Sequence, residues 1–228
     1  MSLVILVPML GRPQHVAPLL ESIRETAPHA RVFWLITEDD GEVISAIDRA
    51  VGSVKLMGGD YQIFPPRERG DYAKKINAGI AATDEEHIFT GASDLVFRPG
   101  WYEAAVEKMA PGIGVVGTND LGNLGTRNGG HATHMLVARW YVEQHGTIDE
   151  PGKFYHEGYW HECCDNEAYE TAKSRGMYAH ARDSFVEHLH PLWGKAEWDD
   201  TYSAMRQRID EGWLVFRGRR KLWRQPSR

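Results

Sequence analysis

At 228 residues, with 42% hydrophobic and 25% charged side chains, the chain is long enough for one large α/β domain and too apolar for wholesale disorder. A formal net charge of -6, from 26 basic and 32 acidic residues, argues against the broad positive field that general nucleic-acid binding needs. The two cysteines, Cys163 and Cys164, are adjacent, a spacing that closes a disulfide only with strain, so a reducing, cytoplasmic setting is expected. The opening Met1–Pro8 lacks a basic leader and reads as a strand rather than a signal peptide, and no apolar stretch approaches the ~20 residues of a membrane span.

Leu3–Val7 is a continuous apolar run, the pattern of a strand buried on both faces. It ends at Pro8, and Gly11, Arg12 and Pro13 follow. Val16, Leu19, Leu20 and Ile23 then recur at helical spacing, with Pro18 placing the helix start near itself. Arg31–Thr37 is a second strand. It runs into an acidic turn, Glu38-Asp39-Asp40-Gly41, and a helical stripe of Val43, Ile44, Ile47 and Val51. Val54–Met57 reads as a third strand, followed by a loop over 58–70. Tyr72, Ile76 and Ile80 mark a helix, His87–Thr90 a strand, Pro99 and Trp101 a helix start, and Ile113–Gly117 another strand. This alternation predicts a mostly parallel, Rossmann-like sheet with flanking helices. Ligands in such sheets bind beyond the carboxyl ends of the strands, here after Val7, Thr37 and Thr90.

After residue 118 the texture changes. Asn119–Gly130 is rich in Asn and Gly and reads as a flexible loop. The second half is dense in His, Trp, Tyr and Glu. From Trp213 the chain is basic and aromatic, with Arg217, Arg219, Arg220, Lys221, Arg224 and Arg228. That tail is a candidate contact for a membrane surface, a nucleic acid or another subunit. The expected organisation is one domain over 1–196, in two halves (1–118 and 119–196), and a C-terminal helix and basic tail over 197–228.

Four clusters carry candidate chemistry. Asp94 follows an apolar strand, where a carboxylate can hold a hard divalent ion or cap a turn. Glu38-Asp39-Asp40 can accept hydrogen bonds from a base or ribose, or cap the next helix. His188-Leu189-His190 presents two imidazoles on one strand face. Asp165, in His161-Glu162-Cys163-Cys164-Asp165-Asn166-Glu167, can act as general base or as a helix N-cap. No second cysteine pair stands at zinc-ligand spacing.

In this order the pieces resemble the family 2 glycosyltransferases, inverting enzymes of the GT-A fold. Val4–Pro8 with Gly11-Arg12-Pro13 is similar to that family's opening strand and turn. Thr37–Glu42 is similar to its Asp-Asp-Gly-Ser nucleotide site. Tyr72–Ile80 is similar to its Asn-X-Gly helix, and His87–Phe97 to its metal-site strand. Cys164–Glu167 through Gly176 is similar to its Glu-Asp acceptor motif, and His188 or His190 to a late metal ligand. The resemblance covers roughly residues 3 to 191. It implies that Pro8, Gly11, Arg12, Glu38, Asp39, Asp40, Lys74, Asn77 and Ser93 bind a nucleotide sugar, UDP- or GDP-linked. It implies Mn²⁺ or Mg²⁺ at Asp94, His188 and His190, and Asp165 as the base that activates an acceptor hydroxyl, with inversion. A sugar site also favours aromatic walls, for which Tyr155, Tyr159 and Trp160 are candidates. The chain departs from the family where Ala92-Ser93-Asp94 replaces Asp-X-Asp, where Cys164 replaces the glutamate, and where the strand-end motif reads Asp-Asp-Gly-Glu. Two other readings stand beside this one. A nucleotidyltransferase is disfavoured by the single glycine in Pro8–Pro13, and an inactive carbohydrate-binding protein is kept open by the missing aspartate.

Overall fold

The computed structural model describes residues 1–52, 60–68 and 71–224. Eight strands form one sheet: β1 (Leu3–Pro8), β2 (Arg31–Thr37), β3 (Tyr61–Phe64), β4 (His87–Thr90), β5 (Leu95–Phe97), β6 (Val115–Asn119), β7 (Met135–Ala138) and β8 (Tyr178–His188). Their order is β3-β2-β1-β4-β7-β6-β8-β5. β1, β2, β3 and β4 are mutually parallel. β7 is antiparallel to both neighbours, β6 and β8 are parallel, and β5 is antiparallel to β8. Nine helices flank the strands among the described residues: α1 (Val16–Thr26), α2 (Gly41–Val51), α3 (Tyr72–Ala81), α4 (Trp101–Glu107), α5 (Leu124–Arg127), α6 (Arg139–Gln144), α7 (Cys164–Ser174), α8 (Asp200–Gln207) and α9 (Ile209–Arg219).

β1 shows why an unbroken apolar run was required. Leu3, Ile5 and Val7 pack into one core with α1, α2 and α4, whereas Val4 and Leu6 pack into a second core with α3, α6 and α7. Both strand faces are dry, so alternation would have buried polar groups at a cost of about 1–3 kcal/mol each. Gly79 lets α3 lie close on this strand, since a Cβ there would stand 3.0 Å from Leu6 Cδ2 and 3.2 Å from Leu35 Cδ2.

Several expectations shift in detail. α1 begins at Val16, after a single 3-10 turn over Pro13–His15, because Pro18 fits within a helix's first turn as well as at its first position. The expected strand over Val54–Met57 and the residue Arg228 lie outside the described residues. On the side of β2 away from β1, the paired strand is Tyr61–Phe64, inside the segment expected to be a loop. Asn119–Gly130 contains one helical turn, α5, capped by Asn123. The single helix expected after 197 is two, α8 and α9. Among the described residues no helix is long and apolar enough to cross a membrane.

Candidate active site

β1 connects through α1 to β2 on one side, while β4 lies on the other, so the sheet has its topological switch between β1 and β4. A cleft of about 520 Å³ opens at the carboxyl ends there. Pro8 and Arg12 from the β1 loop, Ser93 and Asp94 from the turn after β4, Asp165 from α7, and His188 and His190 from the end of β8 all line it.

Strand register assembles the charged wall. β5 pairs antiparallel with β8 so that Leu95 faces His188, which sets Asp94 beside the histidine. Asp94 Oδ2 lies 3.4 Å from His188 Nε2, accepts from Tyr202 Oη at 2.6 Å and from Arg12 Nη1 at 3.3 Å. Burial opposes the Asp94 charge, but His188, Arg12 and Tyr202 outweigh it and hold the carboxyl well below its usual range. Burial likewise lowers His188, and the Asp94 carboxylate overcomes this and raises it. Arg12 is buried, stacks 3.7 Å over the Tyr202 ring and forms a forked pair with Asp199 at 2.8 and 3.0 Å. His190 turns aside: its Nδ1 accepts the Leu192 N–H at 3.1 Å, and burial with the neighbouring His188 charge pushes its pKa down to about 4.

Asp94 and His188 therefore converge as one hard oxygen and one imidazole nitrogen. Ala92 supplies no donor, and no group of three or more His, Cys, Asp or Glu converges among the described residues. Two protein ligands suit a Mg²⁺ or Mn²⁺ ion that takes its remaining oxygens from a substrate diphosphate and water.

On the opposite wall the αL residue Cys163 caps α7, so Asp165 is the helix's second residue rather than its cap. Its Oδ1 accepts the Asn166 N–H at 2.9 Å and its Oδ2 lies 3.1 Å from His131 Nε2. Both cysteines are free and buried, and burial pushes the Cys163 thiol up to about 12 and the Cys164 thiol well above its usual range, so neither is a ready nucleophile.

Other expected residues fall outside the cleft lining. Asp40 Oδ2 accepts the Gly11 N–H at 2.6 Å and fixes the β1 loop, while Glu38 and Asp39 are exposed at the same sheet edge. Asn77 is a clamp: its Oδ1 accepts from the Phe154 and Tyr155 N–H groups and its Nδ2 donates to Tyr155 O at 2.7 Å. Tyr155 is buried against Tyr72 and Phe154, Tyr159 donates to Glu167 at 2.8 Å, and Trp160 is covered by Arg208 at 4.1 Å. The aromatic walls of the cleft are instead Tyr72, Trp193, Tyr202 and Trp213. Lys74 is exposed and paired with Asp71, and its neighbour Lys75 is the buried lysine that lines the cleft, donating to Thr37 Oγ1 at 2.9 Å. Lys75 was legible: with Tyr72, Ile76 and Gly79 it shares the inward stripe of a 3.6-residue period. His131, His134, His161 and Tyr202 carried no comparable signal. In the basic tail, Arg219 folds back to pair with Glu167 and Asp149.

A cleft at the switch point of a mostly parallel sheet, with a carboxylate–imidazole pair on one wall and a carboxylate at a helix start on the other, is where an open α/β fold places its ligand site. The sequence pattern of Glycosyl transferase family 2 matches residues 4–181, and the chain belongs to that family. No curated protein sequence matches the chain. Among solved structures, the mannosyltransferase PcManGT from Pyrobaculum calidifontis, in complex with GDP-Man and Mn²⁺, superposes with a TM-score of 0.66 at 15% identity, over 99% of this chain and 65% of that one. S. aureus TarS 1-349 with UDP-GlcNAc gives 0.61 at 12% identity, over 92% and 66%. Glucosyl-3-phosphoglycerate synthase from Mycobacterium tuberculosis, with Mn²⁺ and UDP-glucose, gives 0.54 at 13% identity, over 94% and 78%. The chain thus spans just under two thirds of the first two, and at these identities the likeness is one of GT-A fold.

Proposed function

We propose that the protein transfers a sugar from a UDP- or GDP-linked donor to an acceptor hydroxyl with inversion. The observation that carries this reading is the single cleft joining Arg12, Asp94 and His188 on one wall to Asp165 on the other. Lys75 and Arg12 provide positive charge for the donor diphosphate, and Ser93 adds a hydroxyl. Glu38, Asp39 and Asp40 lie where β2 ends, the position from which a carboxylate reaches a nucleoside. Asp94 and His188 would hold the divalent ion, with His190 beside them. When bound, that ion neutralises negative charge on a leaving diphosphate.

The chain's own residues account for the proton and the geometry. Asp165 accepts the proton of the acceptor O–H. The oxygen's electron pair forms the bond to the anomeric carbon from the face opposite the diphosphate, and the carbon–oxygen bond to the diphosphate breaks with its pair. Trp193, Trp213 and Tyr202 give the cleft the flat apolar surface on which a sugar ring stacks.

UDP- and GDP-sugars, screened by thermal shift with and without Mn²⁺, should raise the melting temperature of the native protein when they bind. The donor so identified is then used with Asp165→Asn, which keeps the shape and removes the proton acceptor. Transfer should fall by about 10²–10⁴-fold while donor binding holds. Full transfer by a folded Asp165→Asn protein refutes the base assignment. Donor binding without hydrolysis or transfer in Mn²⁺ would mark a binding protein of the same fold.

A further inference from the structure

The acceptor wall carries two carboxyl groups, Glu162 and Asp165, three residues apart and both facing the cleft. Two carboxyls in one dehydrated pocket oppose each other's ionisation, so their surroundings decide which one keeps its proton. The surroundings here are unequal. Asp165 receives the Asn166 N–H, sits in the first turn of α7 where the helix end favours negative charge, and lies 3.1 Å from His131 Nε2. Its side chain and that of His131 are 22% and 17% exposed, so the contact is poorly screened. Glu162 precedes the helix cap, and its side chain makes no hydrogen bond or ion pair among the described residues.

The geometry points to His131 as a positioning residue: it holds Asp165 as the ionised carboxylate that takes the acceptor's proton, and leaves Glu162 as the carboxyl that carries one. This assignment rests on the reading of Asp165 as base. The charges facing His131 come from two elements: Asp165 and Glu170 on α7, and Asp120 in the loop after β6. Burial lowers His131, but these carboxylates, Asp165 foremost, bring it above its usual value. Asp165 in turn faces His131 and His134; burial raises it and His131 brings it net below the usual range. Glu162 is pushed up to about 7, first by burial and then by the Asp165 charge, with His188 opposing weakly.

The chemical consequence is a base that is ionised at lower pH than a carboxylate in such a pocket would otherwise be. Removing the imidazole should shift the acid limb of the kcat/KM profile upward by about one to two pH units, a 10- to 100-fold change in the Asp165 ionisation constant. A residue that served only to pack the loop would lower the rate at every pH and leave the limb in place.

The experiment measures pH–rate profiles for the wild type, His131→Gln and His131→Asn, together with ¹³C NMR titration of the aspartate and glutamate carboxyls in the unliganded protein. An upward move of the limb and of the Asp165 signal in either variant supports the assignment. An unmoved limb in folded variants, with Asp165→Asn still inactive, overturns it and leaves the base reading intact. An active Asp165→Asn protein removes the base reading, whereas the NMR titration still tests the pairing alone. Should neither variant fold, the wild-type titration decides: Glu162 losing its proton before Asp165 overturns the assignment.

Discussion

Arg12→Met tests whether the buried guanidinium is what permits a charged Asp94 in the cleft wall. Methionine keeps most of the apolar stem and removes the charge. The forked pair with Asp199 contributes little, about 0.2–1 kcal/mol, because Asp199 is 39% exposed and screened. The stacking on Tyr202 adds about 0.5–2 kcal/mol. The larger loss comes from Asp94, whose side chain is 6% exposed. Breaking a buried pair costs about 3–5 kcal/mol when one charge is stranded, and the surviving contacts to His188 and Tyr202 place this case at the low end. The expected total is about 4–6 kcal/mol, a fall in Tm of roughly 15 °C for a chain of this length. Urea denaturation followed by tryptophan fluorescence, with an unchanged m value, measures it. Asp94→Asn in the Arg12→Met background should recover part of the loss, since the stranded charge is gone. A coupling of at least about 1 kcal/mol is expected from that cycle. A single-mutant loss below about 1 kcal/mol, or an additive cycle within about 0.5 kcal/mol, refutes the reasoning.

Gly91→Ala should destabilise the switch point by about 1–3 kcal/mol, because its Cβ would stand 2.6 Å from the Leu6 carbonyl oxygen, which is backbone and cannot swing away; an unchanged melting curve contradicts the close approach. Glu162→Gln tests the raised carboxyl without reference to activity. A folded-state value of about 7, above the unfolded value of about 4.3, means that stability present at low pH is lost as pH rises between those two values. Chemical denaturation from pH 4 to 8 should show that decline in the wild type and a flatter curve in Glu162→Gln; parallel curves rule out the shift.

The frame was legible because β1, β2 and β4 are buried on both faces, and a strand with two dry faces has almost no sequence freedom. Leu3–Val7 and His87–Thr90 are apolar or satisfied throughout, and the resemblance follows from those constraints. β3 was not legible. Tyr61–Phe64 is four residues at the sheet edge, half exposed and followed by two prolines, so neither alternation nor length marks it. Asp94 and His188 were picked out because they stand at strand ends, where position itself has meaning. The acceptor side was harder. Tyr155 and Tyr159 have the composition of a sugar wall, yet the Asn77 clamp and Glu167 turn them inward, an outcome set by contacts nearly eighty residues apart in one case. His131 stands in a Gly-rich loop without periodicity, and only the packing of that loop against α7 reveals its partner.

The family match ends at residue 181, but Asp94 depends on groups beyond it. His188 lies 3.4 Å from its carboxylate, Tyr202 donates to it at 2.6 Å, and Asp199 holds Arg12 in a fork from the other side. The shared frame therefore delivers the carboxylate to the switch point, and the segment after β8 sets the charge around it. Ala92 fits this division. With only one aspartate in the turn after β4, the local negative charge is smaller than a pair would give, and one arginine, one imidazole and one phenol suffice to keep it ionised in a buried wall. A second aspartate at 92 would have needed a further cation, or an ion always present, to remain charged there. The same wall places Arg12 and His188 as positive groups beside Asp94, with the buried Lys75 also in the cleft lining. Positive charge is thus concentrated on that wall, even though the chain as a whole carries a net charge of -6.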